Sequence, residues 1–167
     1  MSEPLRVLPG AVLARWDTAA GDEAVPARER VINALVDRLE AAGHVAPTFR
    51  HAVLARERAH PTGLPTAVPC AIPHTDAEHV RTTGIAVATL ARPVPFTQMG
   101  APDQTVAARW VVMMCLRSAS AQLEALQALI NGMQDAGAVE QLLAAPDETA
   151  LTEAVAAWLA SHRSSGG

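Results

Sequence analysis

The sequence predicts a single α/β domain, with a central mixed, mostly parallel sheet flanked by helices on both faces. Three observations carry this. Two apolar runs, Gly84 to Leu90 and Arg109 to Leu116, have the length and near-continuous hydrophobicity of buried strands. Segments with helical spacing of apolar residues lie on either side of them in the chain. A chain of 167 residues, half of them hydrophobic, is long enough to bury a core without disulfides or metal staples.

Taken in order, residues 5–16 form a short apolar segment interrupted by Pro9-Gly10, which predicts an edge strand with a turn. From Asp22 onward, Val31, Ile32, Leu35, Val36 and Leu39 recur at helical spacing, and Gly43 supplies a C-cap. Pro47-Thr48 opens a second helix whose end is crowded by Arg56, Glu57 and Arg58, and Pro61-Thr62-Gly63 stops it. After the strand at 84–90, Pro93-Val94-Pro95-Phe96 reads as its exit into a loop, TQMGAPDQ, before the second strand. Ser118 and Ser120 offer N-cap hydroxyls to a helix starting near Ser120, with Gln122 in its first turn. Leu123, Leu126, Leu129, Ile130 and Met133 are expected to face the sheet. A helix over 138–144 capped from Asp135 and another over 147–161 complete the domain, assigned as 1–161 with a disordered tail at 162–167.

Composition excludes several classes. There is no run of about 18 apolar residues and no basic-then-apolar leader, so a soluble, cytoplasmic protein is expected. A formal charge of −4 and a scarcity of aromatic residues argue against nucleic-acid binding. All 13 basic residues are arginine, a compositional bias without functional reading. Cys70 and Cys115 are too few and too far apart for a disulfide framework and read as small buried hydrophobes.

The chemically versatile side chains concentrate in Pro69 to His79. Ile72 precedes proline and is held extended, and Pro73 fixes the direction from which His74 is presented. A neutral imidazole nitrogen there is a nucleophile near neutral pH. Sites in open α/β sheets gather beyond the carboxyl ends of strands, so the strand ending at Leu116 and the helix after it would bring Gln122 and a helix N-terminus toward His74. With Arg56, that set suits a phosphoryl group. His79 lies five residues after His74 and is expected to be exposed, and His44, His51, His60 and His162 read as incidental. The same stretch also admits a metal site from Cys70, His74, Asp76 and His79, although the spacing matches no zinc pattern and both prolines stiffen it. A shallow apolar patch around His74 is expected for a transient protein complex, and the low charge density of Ala67 to Pro73 is compatible with it.

Arg56-Glu57, Pro61-Thr62-Gly63-Leu64, Ala71-Ile72-Pro73-His74 and Pro93-Val94-x-Phe96, in that order, resemble enzyme IIA domains of the mannitol, fructose and nitrogen class. These belong to the bacterial phosphoenolpyruvate-dependent sugar phosphotransferase system. The chain looks most like galactitol-type members, because Gln122 stands where mannitol-type and fructose-type members usually carry a second histidine. The resemblance implies that His74 accepts a phosphoryl group from the phosphocarrier HPr and passes it to a cysteine of an enzyme IIB, with the membrane enzyme IIC engaged only indirectly. It implies that Arg56 neutralises the phosphate, and that Glu57, Thr62 and Gly63 shape the loop. No cofactor is implied. A regulatory enzyme IIA, whose phosphorylation state controls a partner, is the alternative purpose for the same histidine.

Overall fold

In the computed structural model, residues 5–162 are described. Strand β1 spans Val7–Trp16, followed by helices α1 (Ala27–Ala41) and α2 (Phe49–Ala59). Two-residue strands β2 (Gly63–Leu64) and β3 (Cys70–Ala71) precede a hairpin of β4 (Gly84–Gln98) and β5 (Ala101–Cys115). Helices α3 (Leu123–Met133), α4 (Ala136–Leu143) and α5 (Glu148–His162) close the chain.

The sheet is mixed. β1 runs parallel to β4, β2 parallel to the end of β4, and β3 parallel to β5, while β2–β3 and β4–β5 are antiparallel. The hairpin curls until Gln98 meets Gly63, so β4, β5, β3 and β2 form a closed circuit with β1 on the outer edge. Gly63 is required at that closure, because a Cβ there would stand 2.6 Å from the carbonyl oxygen of Thr97.

Alternation along the strands divides the core. Ala86 and Ala88 of β4, with Val111, Met113 and Cys115 of β5, pack beneath α1 and α2 against Val31, Leu35, Phe49 and Val53. Ile85, Val87, Trp110, Val112 and Met114 face α3–α5 and meet Leu129, Met133, Leu151, Val155 and Trp158. The helices therefore cover both faces, as the sequence predicts. Helix α1 ends in a Schellman motif: Gly43, at φ +77°, donates to Glu40 O, and His44 donates to Leu39 O. Asp135 Oδ1 accepts from Ala138 N at the start of α4, the cap expected of it.

Several elements differ from expectation. Pro9-Gly10 forms a bulge within β1, since the register shifts between Val7 and Val12 and the strand continues to Trp16. β4 does not exit at Pro93. It bulges between Thr89 and Val94 and runs on to Gln98, with Pro93 and Pro95 exposed and Val94 and Phe96 buried. The segment read as a loop is a hairpin turn at Met99-Gly100 with the first residues of β5. On α3 only Leu129 and Met133 of the expected set are fully buried, while Leu123 and Ile130 are exposed: Ile130 lies one residue, about 100° of helix, beyond Leu129. His162 closes α5, its Nδ1 2.8 Å from Trp158 O, and the rest of the expected tail, 163–167, lies outside the described residues.

Candidate functional site

Because β3 is parallel to β5, their carboxyl ends lie together, and the chain leaving β3 passes Ile72 and Pro73 to His74 at that end. Met114 N donates to Pro73 O at 3.0 Å, and His74 pairs with Met114 in an isolated parallel bridge. The nucleophile candidate is therefore fixed to the last stretch of sheet before β5 ends at Cys115. Its Nδ1 lies 2.8 Å from Ile72 O. A carbonyl only accepts, so Nδ1 carries the proton and Nε2 the free lone pair.

The support beneath this ring crosses three parts of the chain. Ile72 N donates to Thr62 Oγ1 at 3.2 Å and Thr62 O at 3.3 Å. Thr62 in turn donates from its hydroxyl to Glu57 Oε2 at 2.8 Å and from its amide to Glu57 Oε1 at 3.0 Å. Glu57, on the last turn of α2, is 6% exposed. Burial pushes its carboxyl up from the ordinary range, opposed by the two Thr62 hydrogen bonds and the more distant charge of Arg28. Glu57, Thr62, Ile72 and His74 are thus one connected chain of hydrogen bonds, with Gly63 beside it at the sheet closure.

Arg56 precedes Glu57 on the helix and turns outward. Its Nη1 lies 4.0 Å from Asp76 Oδ1, two residues beyond His74, while its Nε is buried and has no hydrogen-bond partner among the described residues. A guanidinium held beside the His74 segment with donors to spare can receive an anion.

Gln122 is placed differently from expectation. It is the residue before the first turn of α3, in the N-cap position, and only 2% exposed. Its Oε1 accepts from Ser118 N at 3.2 Å, and Ser118 Oγ accepts from Ala121 N at 3.2 Å, so the chain makes a tight turn ahead of the helix. Among the described residues its side-chain bond ties its own loop and does not run to His74. The loop does leave the same end of β5 as His74.

The metal alternative does not assemble: among the described residues no group of three or more His, Cys, Asp and Glu is gathered to hold an ion. Cys70 is buried in β3, its thiol 3.7 Å from Thr66 Oγ1 and pushed up by burial. His79 is not a free surface residue, since its Nδ1 lies 2.7 Å from Thr48 Oγ1. Of the uncharged run 67–73, Val68 and Cys70 to Pro73 are buried and Ala67 is exposed. The carbonyl of Ile72, which holds the His74 ring, carries no residue-type signature in the sequence, and Asp76, a metal-ligand candidate by residue type, lies beside Arg56 instead.

Residues 17–158 match the family described as phosphoenolpyruvate-dependent sugar phosphotransferase system, EIIA 2. The galactitol-specific EIIA component of Escherichia coli K12 is 32% identical over 127 residues, 75% of this chain and 83% of that protein. Among solved structures, the complex of enzyme IIA mannitol and phosphorylated enzyme IIB mannitol from Escherichia coli matches with a TM-score of 0.65 at 22% identity, covering 92% of this chain and 99% of that one. The nitrogen regulatory protein IIA of Neisseria meningitidis matches with a TM-score of 0.62 at 20% identity, covering 90% and 93%. These structural likenesses bear on fold, and they agree with a sheet covered on both faces. The family match and the relative together carry the conclusion: the chain belongs to the EIIA type 2 family of the phosphoenolpyruvate-dependent sugar phosphotransferase system and is, as such a component, a phosphotransferase.

Proposed function

We propose that this protein relays a phosphoryl group through His74, accepting it from phosphorylated HPr and passing it to a cysteine of an enzyme IIB that serves carbohydrate uptake. The observation that carries the reading is the Nδ1 bond to Ile72 O, which leaves Nε2 as the nucleophile. In the first step the Nε2 lone pair forms a bond to phosphorus, the bond to the donor atom breaks, and its electron pair returns to the donor. The Nδ1 proton stays directed at the Ile72 carbonyl, which tempers the positive charge gained by the ring. In the second step the IIB thiolate forms the sulfur–phosphorus bond, and the pair of the breaking nitrogen–phosphorus bond returns to Nε2.

Phosphoryl transfer proceeds through a loose transition state, so positioning and charge neutralisation are what the protein must supply. Arg56 supplies the positive charge, the exposed part of its guanidinium being available to turn toward the phosphoryl oxygens. Glu57 and Thr62 hold the Ile72 peptide that aims the ring, Gly63 permits the sheet closure beside it, and Gln122 contributes at most its amide NH2, its oxygen being engaged. No step requires a cofactor.

Among the described residues no helix is long and apolar enough to cross a membrane, and we place the relay in the cytoplasm, with enzyme IIC reached only through IIB. The galactitol-specific relative makes a IIB of that transport class the first acceptor to try and favours transport over a regulatory role. The test is intact-mass analysis after incubation with phosphoenolpyruvate, enzyme I and HPr. One acid-labile phosphoryl group, absent from His74→Ala, is expected. Labelling retained in that variant would refute the assignment.

A further inference from the structure

Asp76 Oδ1 stands 4.0 Å from Arg56 Nη1, a separation that holds two charges near one another without a hydrogen bond. Two arginines elsewhere in the chain show what a tight ion pair looks like here. Arg38 donates to both oxygens of Glu148 at 3.0 and 2.6 Å, and Arg109 grips Glu140 at 2.5 Å. Arg56 has no such bond, and its Nε is buried without a partner among the described residues. The adjacent carboxylate, Glu57, is turned inward onto Thr62 and does not answer that charge. Asp76 itself is three-quarters exposed, and among the described residues its carboxylate makes no hydrogen bond.

Two anions therefore address one cation, the carboxylate of Asp76 and the phosphoryl group that His74 is proposed to carry. Gln122 adds no charge to offset either. A phosphohistidine that is held too well is a poor donor, so the share of Arg56 left to it governs how readily the group moves on.

We infer that Asp76 is a positioning residue that sets the phosphoryl-transfer potential of His74 by competing for Arg56. It gives Arg56 a loose counter-charge before phosphorylation and withdraws part of that guanidinium from the phosphoryl group afterwards, which favours onward transfer over storage. The inference rests on the reading of His74 as acceptor.

The test compares the chain as it stands with Asp76→Asn, each equilibrated with a fixed ratio of phosphorylated to free HPr, then freed of donor to follow phosphohistidine hydrolysis. Asp76→Asn is expected to raise the equilibrium constant for phosphorylation and to lengthen the lifetime, each about two- to fivefold, the size of an exposed ion-pair effect. The gain should shrink between about 0.01 and 1 M salt. It should vanish when Asp76→Asn is introduced into Arg56→Gln. A purely structural role would show neither dependence. If the unsubstituted protein takes no label at His74, the acceptor reading itself fails. If it labels normally and Asp76→Asn is unchanged, or keeps its full effect without Arg56, the role given to Asp76 is wrong.

Discussion

The segment that presents His74 and the loop that carries Gln122 leave the same end of the sheet, yet they are held in opposite ways. His74 rests on hydrogen bonds that run from the last turn of α2 through Thr62 to the Ile72 peptide, joining separate elements of the fold. Gln122 is held by a local ring, its side-chain oxygen on the amide of Ser118 four residues earlier. The first arrangement fixes the direction of a nucleophile. The second fixes a turn, and in the proposed relay Arg56 is the residue assigned to supply positive charge.

The largest expected effect tests the nucleophile directly. His74→Ala should abolish phosphorylation while costing about 1 kcal/mol or less in stability, since the half-buried ring makes one recorded hydrogen bond. An unfolded variant would show that the ring carries packing as well. Next in size, Arg56→Ala should slow phosphoryl transfer from HPr by on the order of a hundredfold without eliminating it, the usual scale for losing one charge-stabilising donor. Rapid-quench kinetics would measure this, and an unchanged rate would remove Arg56 from the site.

Thr62→Val breaks the nonlocal support in its middle. It keeps the shape of the side chain but removes the hydroxyl bonds to Glu57 Oε2 and from Ile72 N, so a loss of about 1–3 kcal/mol is expected in urea unfolding. Transfer should slow as well, with Thr62→Ser restoring both. A variant that loses stability but transfers at the normal rate would mean that these bonds hold the loop without aiming the ring.

Glu57→Gln probes the buried end of the same support. A carboxyl raised by burial favours the folded state most below its ordinary pKa of about 4.3, and that contribution is lost as pH rises through the raised folded value. The unsubstituted protein therefore loses that contribution as pH rises above the ordinary carboxyl range. The Glu57→Gln variant does not, although its amide oxygen can still accept from Thr62 N. The stability of the variant relative to the original should rise between about pH 4.5 and pH 7.5, the interval above the ordinary carboxyl range. A relative fall over that interval would show that the Thr62 bonds outweigh burial.

Much of this was readable from the chain. Pro73 next to His74, the helical spacing from Val31 to Leu39, Gly43 and Asp135 each act through local geometry, so each is visible in a few consecutive residues. What escaped depends on distant partners. Pro93 and Pro95 look like the end of a strand, but both face solvent after a bulge while Val94 and Phe96 keep the pairing with β5. Strands β2 and β3, two residues each, are set by pairings with distant β4 and β5 and with one another. At the site, residue types pointed to His74 and Arg56, whereas the direction of Gln122 was set by the amide of Ser118 and could not be read from its spacing.

The smallest effect expected is also the one that sharpens the contrast most. Gln122→His puts an ionisable ring at a position 2% exposed, where Ser118 N needs an acceptor. A neutral ring can serve that amide through one nitrogen, whereas a protonated ring, a donor at both nitrogens, must release it and can turn outward, toward the end of the sheet where His74 stands. If the outward ring reaches the phosphoryl group, it adds positive charge only when it is protonated, below roughly pH 6.5. The phosphohistidine lifetime, taken as a ratio to the unsubstituted protein at the same pH, should then be lengthened about two- to fivefold near pH 6 and return toward unity near pH 8. A ratio that stays at unity throughout would confine position 122 to its turn and leave Arg56 and its competitor Asp76 as the charges that govern the group.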